Sequence, residues 1–558
     1  MRVRGTLFMG VLLSLLVQAG PSLGTDYRSC MECHRGIETM DTNHAFPCQD
    51  CHLHPEDRLS MQSTHDPVVR YPAGPEHMDT FCGGCHQQEI ARLRNSLHTT
   101  MAGIIGQTRY LWGAQDDPMP RYAPSPHPEL EVLPEAVKQP RNPPELVDDL
   151  LEKRCLACHI GRVPPREKGY YRGLGCSACH VLYADDGLYK GDDPAMKGRQ
   201  GYPRTHTFAD PIPVQQCLHC HNGPRVGADY PGLFEHDYHH SYRTPWKTGS
   251  PPDPVYLMDH HRLRPDIHFQ KGLLCVDCHD KGDVMGRGDL APHEKKAVRV
   301  RCEDCHGPAR ESGWGGKAII PGKEGTVFVD RQGRRHPLPQ WDEKITAHSV
   351  PQMKRLHCTS CHGGWGFYDY GMSLMRDDRV DLSRWGAWRL QGDETVAGLF
   401  DTSGLFLGTE QSVGAWFLGW RFRRWESLTL GVDGEGRITP LRPHYQYLIS
   451  FVDKGGKVIL DNVVPERGDG RGPGWASMPF IPHTVQPRGR ACEECHGQEL
   501  AAGKGLWKGE GPDLMLTKAS PPVYPGMRLL NQEETDRLLR KSPLFRRMRS
   551  RDLNRAMK

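Results

Sequence analysis

The stretch CLACHIGRVPPREKGYYRGLGCSACH, Cys155 to His180, carries two copies of C-x-x-C-H. Two thiols two residues apart, followed at once by an imidazole, form the pattern that holds a haem covalently. The thiols take its two vinyl groups and the histidine takes the iron. C-x-x-C alone also serves zinc or a redox dithiol, but neither requires a histidine after every second cysteine.

The pattern occurs ten times and uses all 20 cysteines, leaving none for a disulfide. The attachment cysteines are Cys30 and Cys33, Cys48 and Cys51, Cys82 and Cys85, Cys155 and Cys158, and Cys176 and Cys179. The second half of the set is Cys217 and Cys220, Cys275 and Cys278, Cys302 and Cys305, Cys358 and Cys361, and Cys492 and Cys495. The proximal histidines are then His34, His52, His86, His159, His180, His221, His279, His306, His362 and His496. The expected cofactor is ten copies of haem c.

Composition agrees with a haem-cored chain. Apolar residues make up 37%, while Gly and Pro number 61 and 46 of 558, so the polypeptide alone is poor in material for a core of this length. The fold class expected is mainly irregular, with short α-helices around ten covalent haems. A small antiparallel β-sheet is expected as an insert between haems nine and ten.

The N-terminus reads as a cleaved secretory signal over residues 1–24, with Arg2 and Arg4 ahead of an apolar run from Leu7 to Val17. That run is too short to span a bilayer. Covalent haem attachment follows export, so a periplasmic or extracellular location is expected. The formal charge of +3 omits the haem propionates. With them, and without the signal, the holoprotein comes to about −9 oxidised. Nucleic acid is therefore excluded as a partner, and many Lys and Arg become candidates to pair with propionates.

Motif spacing divides the chain further. Residues 25–110 form an N-terminal trihaem segment, 111–154 a Pro-rich linker, and 155–362 a hexahaem region. Residues 363–491 contain no cysteine but seven of the 12 tryptophans, including Trp385, Trp388, Trp416, Trp420 and Trp425. Alternating SLTLGV, RITPL, HYQYLISFV and KVILDNVV, separated by the turns DGEG and DKGG, predict two hairpins and one sheet of about four strands. Residues 492–558 hold the last haem and a tail with a helix at EETDRLLR and a basic end. That tail could touch anionic lipid or an acidic redox partner.

Thirty histidines less ten proximal ones leave enough for a second imidazole on every iron. Distal candidates by context are His44, His65, His98 and His206. The stretch EHDYHHSYRTPWKTGSPPDPVYLMDHHRLRPDIH (Glu235 to His268) supplies six more histidines, of which His236, His240, His261 and His268 are the candidates. His236, His239 and His240 have helical i, i+3, i+4 spacing, and a zinc site there stays open as an alternative. His293 and His483 each stand nine residues before a motif and His348 stands ten before one, suggesting one reused turn.

RPDIHFQKGLLCVDCHDKGDVMG followed by CEDCHG resembles the central section of the octahaem tetrathionate reductase and hydroxylamine oxidoreductase group of multihaem cytochromes. The resemblance covers residues 30–362, and the chain departs from it in haem number, in the aromatic insert and in lacking a C-x-x-C-K motif. It implies electron transfer through mostly bis-histidine haems, with other redox proteins as partners. A reductase acting on a nitrogen or sulfur oxyanion at one open-site haem, and a homo-oligomeric filament stacked haem to haem, are the alternatives.

Overall fold

The computed structural model describes residues 28–55, 68–222, 227–236, 255–256, 259–307, 318–323, 325–339, 341–342, 344–349, 355–366, 368–369, 372–379, 415–420, 423–424, 428–442, 447–474, 478–499, 501–502 and 527–539. The signal segment, His65, His239, His240, Trp385, Trp388, Trp425 and the basic end of the tail lie outside the described residues.

Each motif sits on about one helical turn, because an i, i+3 spacing puts both thiols on the same face of such a turn. In seven motifs the histidine N–H closes onto the carbonyl of the first cysteine. The distances run from 2.7 Å for His496 to Cys492 up to 3.0 Å for His180 to Cys176. Motif four differs. Its cysteines lie on a 3₁₀ turn, Cys155–Cys158, and the His159 N–H goes to Leu156 O at 3.0 Å. Motif three lies inside the longest helix, α1 (Met78–Asn95), which kinks at His86. Elsewhere the motif helices are joined by long irregular loops, as expected.

The segment expected to be a linker is part of a core. Helix α2 (Ala102–Leu111) is followed by α3 (Pro143–Lys153), whose start is set by Asn142 accepting the Glu145 N–H and by a proline in the first turn. Leu146, Val147, Leu150 and Leu151 form one buried stripe on α3. They meet Trp112, Trp416, Ile449 and Phe451 in the largest apolar cluster. Proline-rich sequence hid this because the prolines flank α3 and one starts it, and none breaks its interior.

Both expected hairpins form. Strands β1 (Thr429–Val432) and β2 (Ile438–Arg442) flank DGEG, while β3 (Tyr447–Val452) and β4 (Val458–Val463) flank DKGG. Gly436 and Gly456 take φ of 79° and 81°, the left-handed conformation each turn needs. They do not make one antiparallel sheet. Ala415–Trp420, Met372–Asp377, β3 and β4 form one four-stranded sheet, in which Met372–Asp377 runs parallel to β3. Met478–Pro479, β2, β1 and Arg528–Leu529 form the other. The strands of the insert thus interleave between two sheets that share one apolar cluster, and the C-terminal segment completes the second sheet.

The sequence also gave no warning of a three-stranded antiparallel sheet from Ala318–Gly322, Gly325–Val329 and Arg335–Pro337. The expected C-terminal helix is present over Gln532–Leu539. Among the described residues no helix is long and apolar enough to cross a membrane.

Candidate functional site

The motif cysteines are unpaired by disulfides, and none is buried, although cysteine is among the residue types most often found inside. Among the ten motif histidines, six are oriented by their Nδ1 atoms as follows. His52 donates to Val69 O at 2.8 Å, His306 to Pro339 O at 2.9 Å, His362 to Gln486 O at 3.0 Å and His496 to Leu538 O at 3.2 Å. His34 meets Asp193 Oδ2 at 2.6 Å and His279 meets Asp283 Oδ2 at 3.5 Å. Engaging Nδ1 in this way sets the tautomer and aims Nε2 outward, the arrangement usual for a histidine that ligates a metal.

Six of these histidines face a second imidazole drawn from outside any motif. The pairs are His86 with His44 at 6.0 Å between ring centres, His52 with His206 at 6.2 Å and His221 with His98 at 6.0 Å. His279 lies 6.2 Å from His483, His306 6.1 Å from His268 and His362 6.3 Å from His348. Two in-line metal–nitrogen bonds of about 2 Å, plus about 1.2 Å from each nitrogen to its ring centre, require ring centres about 6.4 Å apart. Every one of the six pairs falls within about half an ångström of that spacing.

The second members are anchored as the first ones are. His44 Nδ1 meets Asp41, His98 donates to Val284 O at 2.8 Å and His206 to Glu38 O at 2.9 Å. His268 Nδ1 lies 2.8 Å from Asp266 Oδ1, His348 lies 3.0 Å from Asp342 O and His483 lies 3.9 Å from Asp229 Oδ1. Two of these anchors are short-range, Asp41 and Asp266, and were readable as D-x-x-H and D-x-H. Burial lowers the pKa of His52, of His98 and of His221, the last to about 3, so these rings stay neutral and keep a lone pair to donate.

Of the distal candidates, His44, His98, His206, His268, His348 and His483 are therefore brought to motif histidines. His261 stacks on Phe234 at 6.3 Å and is buried, and its neighbour His260 meets the edge of Tyr256 on the other face of the strand. The helix expected at His236 is replaced by an antiparallel strand pair, Leu233–His236 with Asp259–Arg262, and the His236 side chain lies outside the described residues with His240 and His65. His293 precedes the short helix Glu294–Ala297. The three turns differ in what they place nearby: His348 lies beside His362 of the motif it precedes, whereas His483 lies beside His279 of motif seven.

Motif four engages both ring nitrogens of its histidine. His159 Nε2 donates to Thr99 O at 2.8 Å, and Gly161 N–H reaches its Nδ1 at 3.3 Å. Both ring nitrogens are thus engaged by backbone, and burial lowers the ring's pKa to about 4.

The motif thiols also report which motifs adjoin. Cys30 contacts Cys48, and Cys51 lies close to Cys82, which packs with Cys176 against Ile90 and Ala178. Cys179 neighbours Cys217, Cys217 contacts Cys275, and Cys278 neighbours Cys302. Cys302 contacts Cys358, and Cys361 lies beside Cys495. Motif two thus adjoins one and three, five adjoins three and six, and seven, eight, nine and ten follow in turn. Motif four adjoins six, with Cys158 Sγ 3.9 Å from Cys220 O and Cys220 Sγ 3.8 Å from Cys158 O, and its Ile160 packs in the cluster that holds Cys82 and Cys176 of motifs three and five.

Among the described residues no group of three or more His, Cys, Asp or Glu side chains converges as a metal cluster. No family model, curated protein or solved structure matches the chain.

Proposed function

We propose that the chain is a decahaem c-type cytochrome that carries electrons along the line of motifs. The observation that carries this reading is the set of six imidazole pairs, each joining a C-x-x-C-H histidine to an anchored histidine from elsewhere at the spacing of two axial ligands. The donor set suits haem: two half-exposed thiols and one oriented imidazole per motif, with two-imidazole pairs in place of the four-ligand clusters zinc takes.

Haem c would supply a one-electron iron couple whose potential a second imidazole lowers relative to methionine. The paired histidines leave no coordination position for a substrate at those six sites, which suits carriage better than catalysis. The serial order of motifs gives the line two ends, motif one and motif ten, where other redox proteins would exchange electrons. Export before haem attachment would place the holoprotein in the periplasm or outside the cell.

An enzymatic role has one specific observation in its favour, the branch at motif four, where His159 is held by backbone at both nitrogens and stands apart from the paired sites. Haem content from the alkaline pyridine spectrum tests the cofactor, with ten haems per chain expected and zinc or free thiols the overturning result. Electron paramagnetic resonance of the oxidised protein tests the role. Low-spin signals alone support a carrier, and a high-spin haem that shifts with nitrite, hydroxylamine or tetrathionate makes the branch a reductase site.

A further inference from the structure

Beside motif four lies a cavity of about 210 Å³ whose polar lining comes from Arg70, Arg166, Arg172, Tyr71, Tyr171 and Tyr183. It adjoins a second cavity of about 340 Å³ that shares Arg70 and Tyr71 and reaches His77 and Gly161. Three guanidinium groups and three phenols line the smaller cavity, and no carboxylate does. Arg172 is 2% exposed, and it hydrogen-bonds the carbonyls of Gly173, Ala157 and His159 and the Cys220 thiol, with no carboxylate among its partners. Arg70 donates to Gly201 O. Among the described residues none of the three arginines is ion-paired with an acid.

Carbonyls and a thiol replace part of the water around the buried Arg172, but a guanidinium without a carboxylate partner still gains from an anion nearby. Arginine's planar fork fits the oxygens of a carboxylate or oxyanion. Arg70 and Arg166 are exposed, so the cationic cavity opens to solvent. Burial raises the pKa of Tyr183, whose hydroxyl therefore stays protonated and able to donate. Arg172 also ties the cavity to motif four through the carbonyls of Ala157 and His159.

We propose that this cavity is an anion site at the branch, taking one carboxylate or oxyanion group between Arg172 and the exposed Arg70 and Arg166. The group has two sources of the same chemistry, a small free oxyanion or the propionate of a haem at a neighbouring motif, and the second rests on the haem reading above.

The test uses the full-length holoprotein and the double variant Arg70→Gln/Arg166→Gln, both positions being exposed and tolerant of change. Sulfate and nitrite are titrated in by calorimetry, and haem midpoint potentials are followed by optical redox titration. For a free oxyanion, one anion binds per chain and the variant weakens it by about tenfold or more. For a propionate, neither anion binds, and the variant lowers the potential of one haem because a positive charge that favoured the reduced form is gone. No binding together with unchanged potentials overturns the site. A protein without haem overturns the haem reading instead, and the sulfate titration still decides the cavity.

Discussion

His483 stands nine residues ahead of Cys492, yet its ring faces His279 of motif seven across 6.2 Å. The chain thus sends an imidazole from the edge of motif ten back to motif seven, and the His483 backbone N–H donates to Asp229 Oδ2 at 2.8 Å, which fixes it there.

On the haem reading proposed above, replacing His483 with Ala removes a ligand from motif seven and leaves motif ten intact. One of ten haems is expected to turn high-spin by electron paramagnetic resonance, and added imidazole should return it to low spin. A change that follows Cys492→Ala/Cys495→Ala, which deletes the motif-ten haem, would place the ligand at motif ten instead.

On the haem reading proposed above, motif three joins motif two to motif five, while motif four lies beside that line. Cys82→Ala/Cys85→Ala is expected to slow end-to-end reduction by about tenfold or more, equivalent to about 1.4 kcal/mol of added barrier. Cys155→Ala/Cys158→Ala should leave that rate unchanged. Stopped-flow reduction of the two variants by one donor decides it, and equal slowing in both would remove the branch.

Leu146 sits fully buried in the stripe that α3 presents to Trp416 and the sheet strands. Leu146→Ala should destabilise the chain by about 2–5 kcal/mol in denaturant unfolding, with haem content unchanged. A true linker position would shift stability by no more than about 0.5 kcal/mol.

Glu534 pairs with Arg528 at 2.6 Å and with Arg355 at 3.1 Å, and the Arg528 guanidinium lowers its pKa to about 2. The folded value lies below the ordinary glutamate value of 4.5, so this pairing stabilises fully above about pH 4.5 and is lost as pH falls toward 2. The helix it secures carries Leu538, whose carbonyl orients His496. Glu534→Gln should expose the Leu538 amide to hydrogen exchange at neutral pH. In the wild type the same exposure should appear only on acidification through that window.

What the sequence determined by itself was local. A C-x-x-C-H run places two thiols on one face of a turn and hands an imidazole to the next position wherever it occurs, so the motif count and the attachment residues needed no tertiary information. Hairpins at DGEG and DKGG and the Asp41 and Asp266 anchors beside His44 and His268 are short-range in the same way. Tertiary structure alone decided which imidazole faces which, that the two hairpins join different sheets, that α3 is core and that motif four leaves the line. Each of these pairs surfaces far apart in the chain, and residue spacing carries no record of which buried faces meet. Motif four shows the division most plainly: CLACH reads like the other nine copies, and only the Thr99 carbonyl, brought in from another helix, turns His159 aside.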